Sequence, residues 1–445
     1  TDTNTDTDTD TDTLTSDLIH WLRVNGAYIN DKLRVKHVIP GDVSSPRGVF
    51  ATEAMEEGEI VCSIPYPLMI TPTDASVEDI LRNPYQSRCG IIDAVMKAMQ
   101  GTTKKGDDTI GDNSDRDGDT VDDTITTTRP TRPVVTPYAR YLLAQPKSYL
   151  PAFWSDEANT LLGTMLRSTR THNLTEYDAL PPHGVEDDVE VLATHCEEDS
   201  TDPLFLHAAM IVIARADGHF LTPYFDMINH SNTKHNVRHQ YDPYKPEPPH
   251  QTIDQTGYGV LTTQPIPAGN ELVYPYNKCN ICHTTTDWLG TPELFLYFGF
   301  VETLPQRWLF DFARIKFDLV WKKKKMKKGD DDEDNKATTT ATEDDADDGV
   351  LEVIFLVPPS HKGIRLLQEE LTRLDTFSAM YRGTSSNTDA DNDAFHNGTT
   401  MSSYEWESLW HYYDALYRAL SSAITATTVV PTDDGDGDGD NDDDT

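Results

Sequence analysis

The chain has 445 residues, with 75 Asp and Glu against 37 Lys and Arg and a formal net charge of −38. That length gives room for two or three domains, or for one large domain carrying inserts. So large an acidic excess argues against direct nucleic-acid binding. It suits instead the long-range attraction of a basic protein partner, screened by salt.

Hydrophobic residues make up 37% of the chain, enough for a core, yet the mean hydropathy is −0.55. Much of the charge sits in tracts that bury too little apolar surface to offset the entropy of ordering. These are Thr1 to Thr13, Gly106 to Thr128, Glu186 to Asp202, Gly329 to Gly349 and Thr432 to Thr445, all expected to be disordered. Five cysteines (Cys62, Cys89, Cys196, Cys279 and Cys282) form an odd, scattered set. This favours a reducing compartment (cytoplasm, nucleus or plastid) over a disulfide framework. No apolar run reaches the length of a membrane span. A monomer with no membrane association is expected. The chain begins on a Thr-Asp repeat without methionine, which is compatible with removal of an upstream targeting segment.

In chain order, Ser16-Asp17 suits a helix cap before Leu18, Ile19, Trp21 and Leu22, and Gly26-Ala27 suits its stop. Leu33 to Ile39 alternates as a strand does. Arg47 to Ala51 and Ile60 to Pro65 form two more strands around the turn residues Glu56 to Glu59. Thr71 to about Leu206 turns helical, with helix-like spacing in Ile91 to Met99, Pro137 to Leu143 and Asp156 to Leu166, the last capped by Ser155. Pro203 to Ala216 is the strongest helix and carries Arg215 at its end. Strand character returns from Phe220 to Phe300, broken by a polar insert from Thr233 to Thr256.

A faint echo links two of these stretches. Gly48 to Thr52 leads to Gly58-Glu59-Ile60-Val61, and Gly259 to Thr263 leads to Gly269-Asn270-Glu271-Leu272-Val273. Turn chemistry alone accounts for it. After Phe300, Trp308 to Trp321 is amphipathic and Lys322 to Lys328 is mostly basic. Val350 to Val357 is apolar, and Ile364 to Leu374 keeps helical spacing. A capping box at Ser402 and Glu405 opens an aromatic stripe from Trp406 to Leu420 that suits a core.

Two segments carry chemistry. Asp226-Met227-Ile228-Asn229-His230-Ser231 is a polar turn closing the apolar run Phe220 to Phe225. Glu271 to Asn277 is a strand ending in the pair Tyr274 and Tyr276. With the Trp21 to Ala27 opening, Arg47 to Ala51, Pro137 to Leu142, Arg215 and Tyr297 to Glu302, in this order, the chain resembles the SET-domain protein methyltransferases. The resemblance is to the branch containing the Rubisco large-subunit methyltransferase and the actin-histidine methyltransferase, and it covers roughly Leu18 to Glu302.

This resemblance implies an α+β fold: a β-rich core of small sheets with a helical insert, followed by a helical C-terminal region. The corresponding organisation is a tail over 1–15 and a SET domain over 16–302. The insert covers about 73–217, and acidic loops fall at about 101–135, 176–202 and 233–256. A helical region follows over 303–430, with a loop at about 322–349, and a tail over 431–445. The implied activity is S-adenosyl-L-methionine-dependent methylation of a protein side chain. Lysine is the default acceptor; histidine, or a silent protein-binding module, are the alternatives.

Methyl transfer from a sulfonium is an in-line displacement, so the protein mainly aligns its participants. By resemblance, Asn229 and His230 hold the cofactor, with Arg47, Gly48, Arg215 and Asp226 as further cofactor contacts. Glycine permits close backbone approach and arginine pairs with a carboxylate. Tyr276 is the catalytic tyrosine, orienting the incoming nitrogen. Phe298, Phe300 and Tyr274 would line the substrate channel, although packing in a core explains all three as well. Asn277 to His283 departs from the family's usual loop. Cys279-x-x-Cys282 has the spacing of a zinc-binding pair but no second pair to complete it, so no metal is expected.

Overall fold

The computed structural model describes residues 6–39, 45–72, 84–103, 136–147, 149–167, 180–182, 185–216, 220–240, 257–276, 290–323, 349–357, 359–382 and 400–428. The chain divides into two compact units, Thr1–Lys147 with Gly184–Cys279, and Ser148–His183 with Asn280–Thr445. Helix Asp156–Leu166 and the segment 290–302, read from sequence as parts of the first domain, belong to the second unit. Both units mix helices with small sheets, the α+β class expected.

The first unit holds strands β1 (Tyr28–Ile29), β2 (Leu33–His37), β3 (Arg47–Ala51), β4 (Ile60–Pro65), β5 (Asn229–His230), β6 (Val237–Gln240), β7 (Gly257–Thr262) and β8 (Glu271–Tyr274). They form two four-stranded sheets, ordered β1-β4-β7-β6 and β2-β3-β8-β5. Val49, Val61, Cys62, Ile64, Val260 and Leu272 are buried because short apolar strands expose both faces to neighbouring layers.

The echo seen in the sequence is a structural relationship. The first strand of each repeat pairs with the second of the other: β3 with β8, and β4 with β7. The connectors meet as well, through mutual backbone bonds of 2.9 Å between Met55 and Ile266. Gly58 and Gly269 take matching positive φ values, +77° and +88°, a conformation in which glycine carries no Cβ penalty.

Three expectations of disorder or turn in this unit are overturned. The N-terminal helix runs Asp6–Val24, so Ser16-Asp17 lies inside it and does not cap it. Helix Val185–Cys196 occupies the acidic stretch, because Val189, Leu192 and Ala193 form an i, i+3, i+4 stripe that is buried despite the surrounding charge. Cys196 at its end is bonded to Cys89 on helix Pro84–Thr103. Cys62 is a buried free thiol. Within the polar insert, Val237–Gln240 pairs with β7 as β6.

In the second unit, strands β9 (Gln306–Phe310), β10 (Ile315–Lys323) and β11 (Gly349–Val357) form an antiparallel sheet, ordered β11-β10-β9. The resemblance implied a helical C-terminal region, and the helices are there beside this sheet. The period-two set Trp308, Phe310, Ile315, Phe317 and Leu319, all buried, makes a sheet face. Helices Asp156–Leu166, His361–Tyr381 and Ser403–Thr428 contribute to the same core, where Trp410, Tyr413, Leu416 and Leu420 bear out the core reading of the aromatic stripe. Ser402 and Glu405 form the expected reciprocal cap: Ser402 N–H donates to Glu405 Oε2 at 2.6 Å, and Glu405 N–H to Ser402 Oγ at 3.2 Å. Glu405 Oε1 also accepts from Ser155 N–H at 2.6 Å, at the start of Asp156–Leu166.

Candidate active site

The site in the first unit begins with a backbone event. Within the apolar run Phe220 to Phe225, Tyr224 is a buried residue with φ of +73°. A bulky residue rarely takes that conformation, and such outliers gather at functional turns. A single 3₁₀ turn over Phe225–Met227 follows, and the chain then extends as β5. Asn229 and His230, expected in a polar turn, thus form a two-residue strand parallel to β8, opposite Val273 and Tyr274. Ser231 N–H extends the pairing to the Tyr274 carbonyl at 3.2 Å.

This pairing joins the two segments singled out in the sequence. His230 Nδ1 lies 3.0 Å from the Tyr276 backbone N–H and accepts from it, which puts any imidazole proton on Nε2. The two rings sit 5.1 Å apart. The Tyr276 hydroxyl reaches back to the Ile228 carbonyl at 2.8 Å. Burial, together with the nearby Asp226 and Glu271, pushes its ionisation above the ordinary tyrosine range although Arg215 opposes the shift. The phenol therefore stays protonated near neutral pH.

Asn229 sits between β3 and β8. Its Nδ2 donates to the Arg47 carbonyl at 2.9 Å and to Glu271 Oε1 at 2.7 Å. Gly48 faces this pair: a Cβ there would overlap the Glu271 carboxylate and lie 2.8 Å from Asn229 Nδ2. Burial raises the Glu271 pKa, with Asn229 and Lys36 acting in the opposite direction. Asn236 fixes the same strand, donating to the Glu271 carbonyl at 2.8 Å and accepting from Val273 N–H at 2.9 Å. Arg47 donates to Thr15 Oγ1 at 3.2 Å, on the N-terminal helix.

Asp226 and Arg215 meet on the other side of the turn. Arg215 Nη1 lies 3.2 Å from the Asp226 carbonyl and 3.4 Å from Oδ2, and Nη2 donates to Gln145 at 3.0 Å. Tyr138 donates to Asp226 Oδ2 at 3.1 Å, and Tyr141 lies under the guanidinium, 5.9 Å from its ring centroid. The Asp226 side chain is fully shielded and its Oδ1 has no hydrogen-bond partner among the described residues. Burial accordingly lifts its carboxyl above the usual range, against the pull of Arg215 and Tyr138.

The predicted set therefore divides. Arg47, Gly48, Asn229, His230 and Tyr276 are linked through Asn229, Ile228 and the β5–β8 pairing, and Asp226 with Arg215 adjoins them. Tyr274 faces a different neighbourhood, an aromatic cluster with Phe225 (ring centroids 5.3 Å apart), His239 and Tyr258, and its hydroxyl lies 3.2 Å from His239 Nδ1. Phe298 and Phe300 belong to the second unit and flank the helix stop at Gly299, where a strand had been considered. Glu293 caps that helix through Gly290 N–H at 2.6 Å, and Gly299 ends it at φ +77°. Asn277, Cys279, Cys282 and His283 lie outside the described residues.

Sequence reasoning did not single out Glu271, Tyr138, Tyr141 or Gln145. Tyr138 and Tyr141 share a helix face at i, i+3, which was the available signal. Glu271 opens a strand and gave none.

The family model described as SET domain matches residues 46–277, just over half of the chain. No curated protein matches. Solved structures similar to the chain include the SET domain of LSMT bound to lysine and AdoHcy, with 12% identity, a TM-score of 0.46 and coverage of 94% of this chain and 92% of that one. Another is Rubisco LSMT bound to AdoMet, with 13% identity, a TM-score of 0.44 and coverage of 93% and 92%.

Proposed function

Because this chain belongs to the SET domain family, we propose that it is an S-adenosyl-L-methionine-dependent methyltransferase acting on a protein side chain, with lysine as the acceptor. The observation that carries the reading is the parallel pairing of β5 with β8. It sets Asn229 and His230 against the strand that leads to Tyr276, so a polar cradle and a protonated tyrosine share one place.

The residues present fit the cofactor. Asn229 spends both amide hydrogens inside the protein, which leaves Oδ1 as an open acceptor, and Gly48 leaves room for the Glu271 carboxylate that takes one of those hydrogens. Asn229, His230, Arg47 and Gly48 would hold the cofactor, with Arg215 and Asp226 behind them. When bound, S-adenosyl-L-methionine supplies an electrophilic methyl group for in-line displacement.

Tyr276 then has a defined part. Its proton is committed to the Ile228 carbonyl, so the phenol oxygen is available to accept from an amine N–H and turn the nitrogen lone pair. A phenol whose ionisation is raised by burial is a poor general base at neutral pH, so the role is orientation. The lysine must arrive neutral, which an apolar approach favours by lowering its pKa.

Calorimetry on the full chain tests it. S-Adenosyl-L-methionine is expected to bind the wild type, Asn229→Ala to weaken binding at least about tenfold, and Tyr276→Phe to bind while losing methyl transfer. Hydrolysis of a radiolabelled protein product, followed by separation of methylated amino acids, distinguishes lysine from histidine. Failure of the wild type to bind the cofactor overturns the enzyme and favours the binding-module alternative.

A further inference from the structure

Glu271 opens β8, and nothing in the mechanism so far uses it. Its surroundings are unusual for a glutamate. It is half-buried and its Oε1 takes an amide hydrogen of Asn229 at 2.7 Å; its partner in register on β3 is Phe50, while its carboxylate occupies the space where a Cβ on Gly48, opposite Lys36 in register, would stand. Lys36 itself lies over the Phe50 ring, 4.2 Å from its centroid, so it screens the carboxylate without a direct bond among the described residues.

A side-chain amide can present either its oxygen or its nitrogen to a neighbour. Here the choice is forced. The Arg47 carbonyl and the Glu271 carboxylate are both acceptors, so only the amide nitrogen satisfies them together. The Oδ1 atom must then point the other way. It accepts no hydrogen bond among the described residues. Had residue 271 been apolar, a single bond to the Arg47 carbonyl would hold the amide and its rotation would be freer.

Gly48 explains itself by the same pair. A methyl group at that position would overlap the Glu271 carboxylate and crowd Asn229 Nδ2. The glycine of the Arg-Gly dipeptide is therefore needed to admit Glu271, a reason distinct from close approach of a cofactor to the backbone.

We propose that Glu271 is a positioning residue: admitted by Gly48, it locks the Asn229 amide with Oδ1 outward, as an acceptor for the ammonium group of the cofactor's amino-acid end. This rests on the methyltransferase reading. It predicts discrimination between ligands that carry the ammonium group and those that lack it.

The experiment compares S-adenosylhomocysteine with 5′-methylthioadenosine, which has the nucleoside and sulfur but no amino-acid end, by calorimetry on the full chain. Glu271→Ala is expected to weaken S-adenosylhomocysteine about tenfold, the loss of one orienting hydrogen bond, and to leave 5′-methylthioadenosine unchanged. Glu271→Gln, whose amide oxygen still accepts, should recover most of that loss. Gly48→Ala should reproduce the Glu271→Ala effect, and the double variant should be little worse than either single one, because the two act on one contact.

Equal loss of both ligands in Glu271→Ala, or no loss of either, overturns the proposal while leaving the methyltransferase reading intact. Additive losses in the double variant also overturn it. A wild type that binds neither ligand overturns both.

Discussion

The Tyr276 hydroxyl donates to the Ile228 carbonyl at 2.8 Å, one residue before Asn229. This bond adds to the β5–β8 pairing a side-chain link between the stretch that follows β8 and the residue before β5. Removing the hydroxyl leaves the ring and the backbone bond from Tyr276 N–H to His230 in place. Tyr276→Phe is expected to lower methyl transfer about a hundredfold or more, the size of effect seen on loss of one preorganised polar group at a reacting centre, here the oxygen that accepts from the incoming amine. Its unfolding free energy should fall by only about 1 kcal/mol. Single-turnover kinetics and urea denaturation separate the two effects. A large stability loss with proportionate loss of activity would make the tyrosine a structural residue.

The Asp226–Arg215 pair yields a prediction with a pH signature. Arg215→Met leaves a shielded carboxylate whose Oδ1 already lacks a partner among the described residues, with Tyr138 still donating to Oδ2. Breaking a buried pair in this way costs about 3 kcal/mol at neutral pH. The Asp226 pKa, already raised by burial, then rises further. A folded-state pKa above the unfolded one means that the folded protein binds the extra proton. The stability deficit of Arg215→Met should therefore shrink as pH falls from neutral toward the ordinary carboxylate range. Urea midpoints measured from about pH 7 to 4 against wild type check this. A deficit independent of pH would assign the loss to packing.

The strand–turn–strand units were legible because their signals are local: alternation and turn glycines need no knowledge of distant residues. Asn229, His230 and Tyr276 stood out only through the order of several distant segments, on which the resemblance rests. The reciprocal pairing of β3 with β8 and of β4 with β7 was visible only as an echo, since turn chemistry produces similar strings without any contact. Helix Val185–Cys196 was hidden by composition: the buried Val189, Leu192 and Ala193 are outweighed by acidic neighbours in any window average. The sheet β9 to β11 was missed because the break at Asp311–Ala313 interrupts the two-residue period between Phe310 and Ile315. Glu271 and Tyr138 matter through partners 42 and 88 residues away, and no local pattern encodes such a meeting.

In the second unit, one carboxylate serves two helix starts. Glu405 accepts from Ser402 N–H at the start of Ser403–Thr428 and from Ser155 N–H at the start of Asp156–Leu166. Burial acts to raise its pKa, but these backbone bonds dominate and hold it below the ordinary glutamate range. A depressed folded-state pKa adds stability that is present above the unfolded value and is lost as pH falls through the folded one. Glu405→Ala should cost about 2 kcal/mol near neutrality, the upper range for loss of a cap. Relative to wild type, that deficit should diminish below about pH 4. Thermal melts across this range provide the measurement, and an unchanged midpoint in Glu405→Ala would remove the shared cap as a stabilising feature.

The Cys89–Cys196 bridge ties helix Pro84–Thr103 to the end of helix Val185–Cys196, across 107 residues of chain. Cross-linking so long a loop restricts the unfolded ensemble, and removal of a native bridge typically costs about 2–5 kcal/mol. The variant Cys196→Ser is therefore expected to unfold at a lower urea midpoint, with its m-value raised because its unfolded chain is less compact. Reductant should lower the wild-type midpoint to that of the variant and leave the variant unaffected. Identification of free thiols by alkylation in denaturant, before and after reduction, gives an independent check: reduction should release those of Cys89 and Cys196 in the wild type. No release on reduction would show that the two sulfurs remain thiols under the conditions used, and equal midpoints with and without reductant would then be expected.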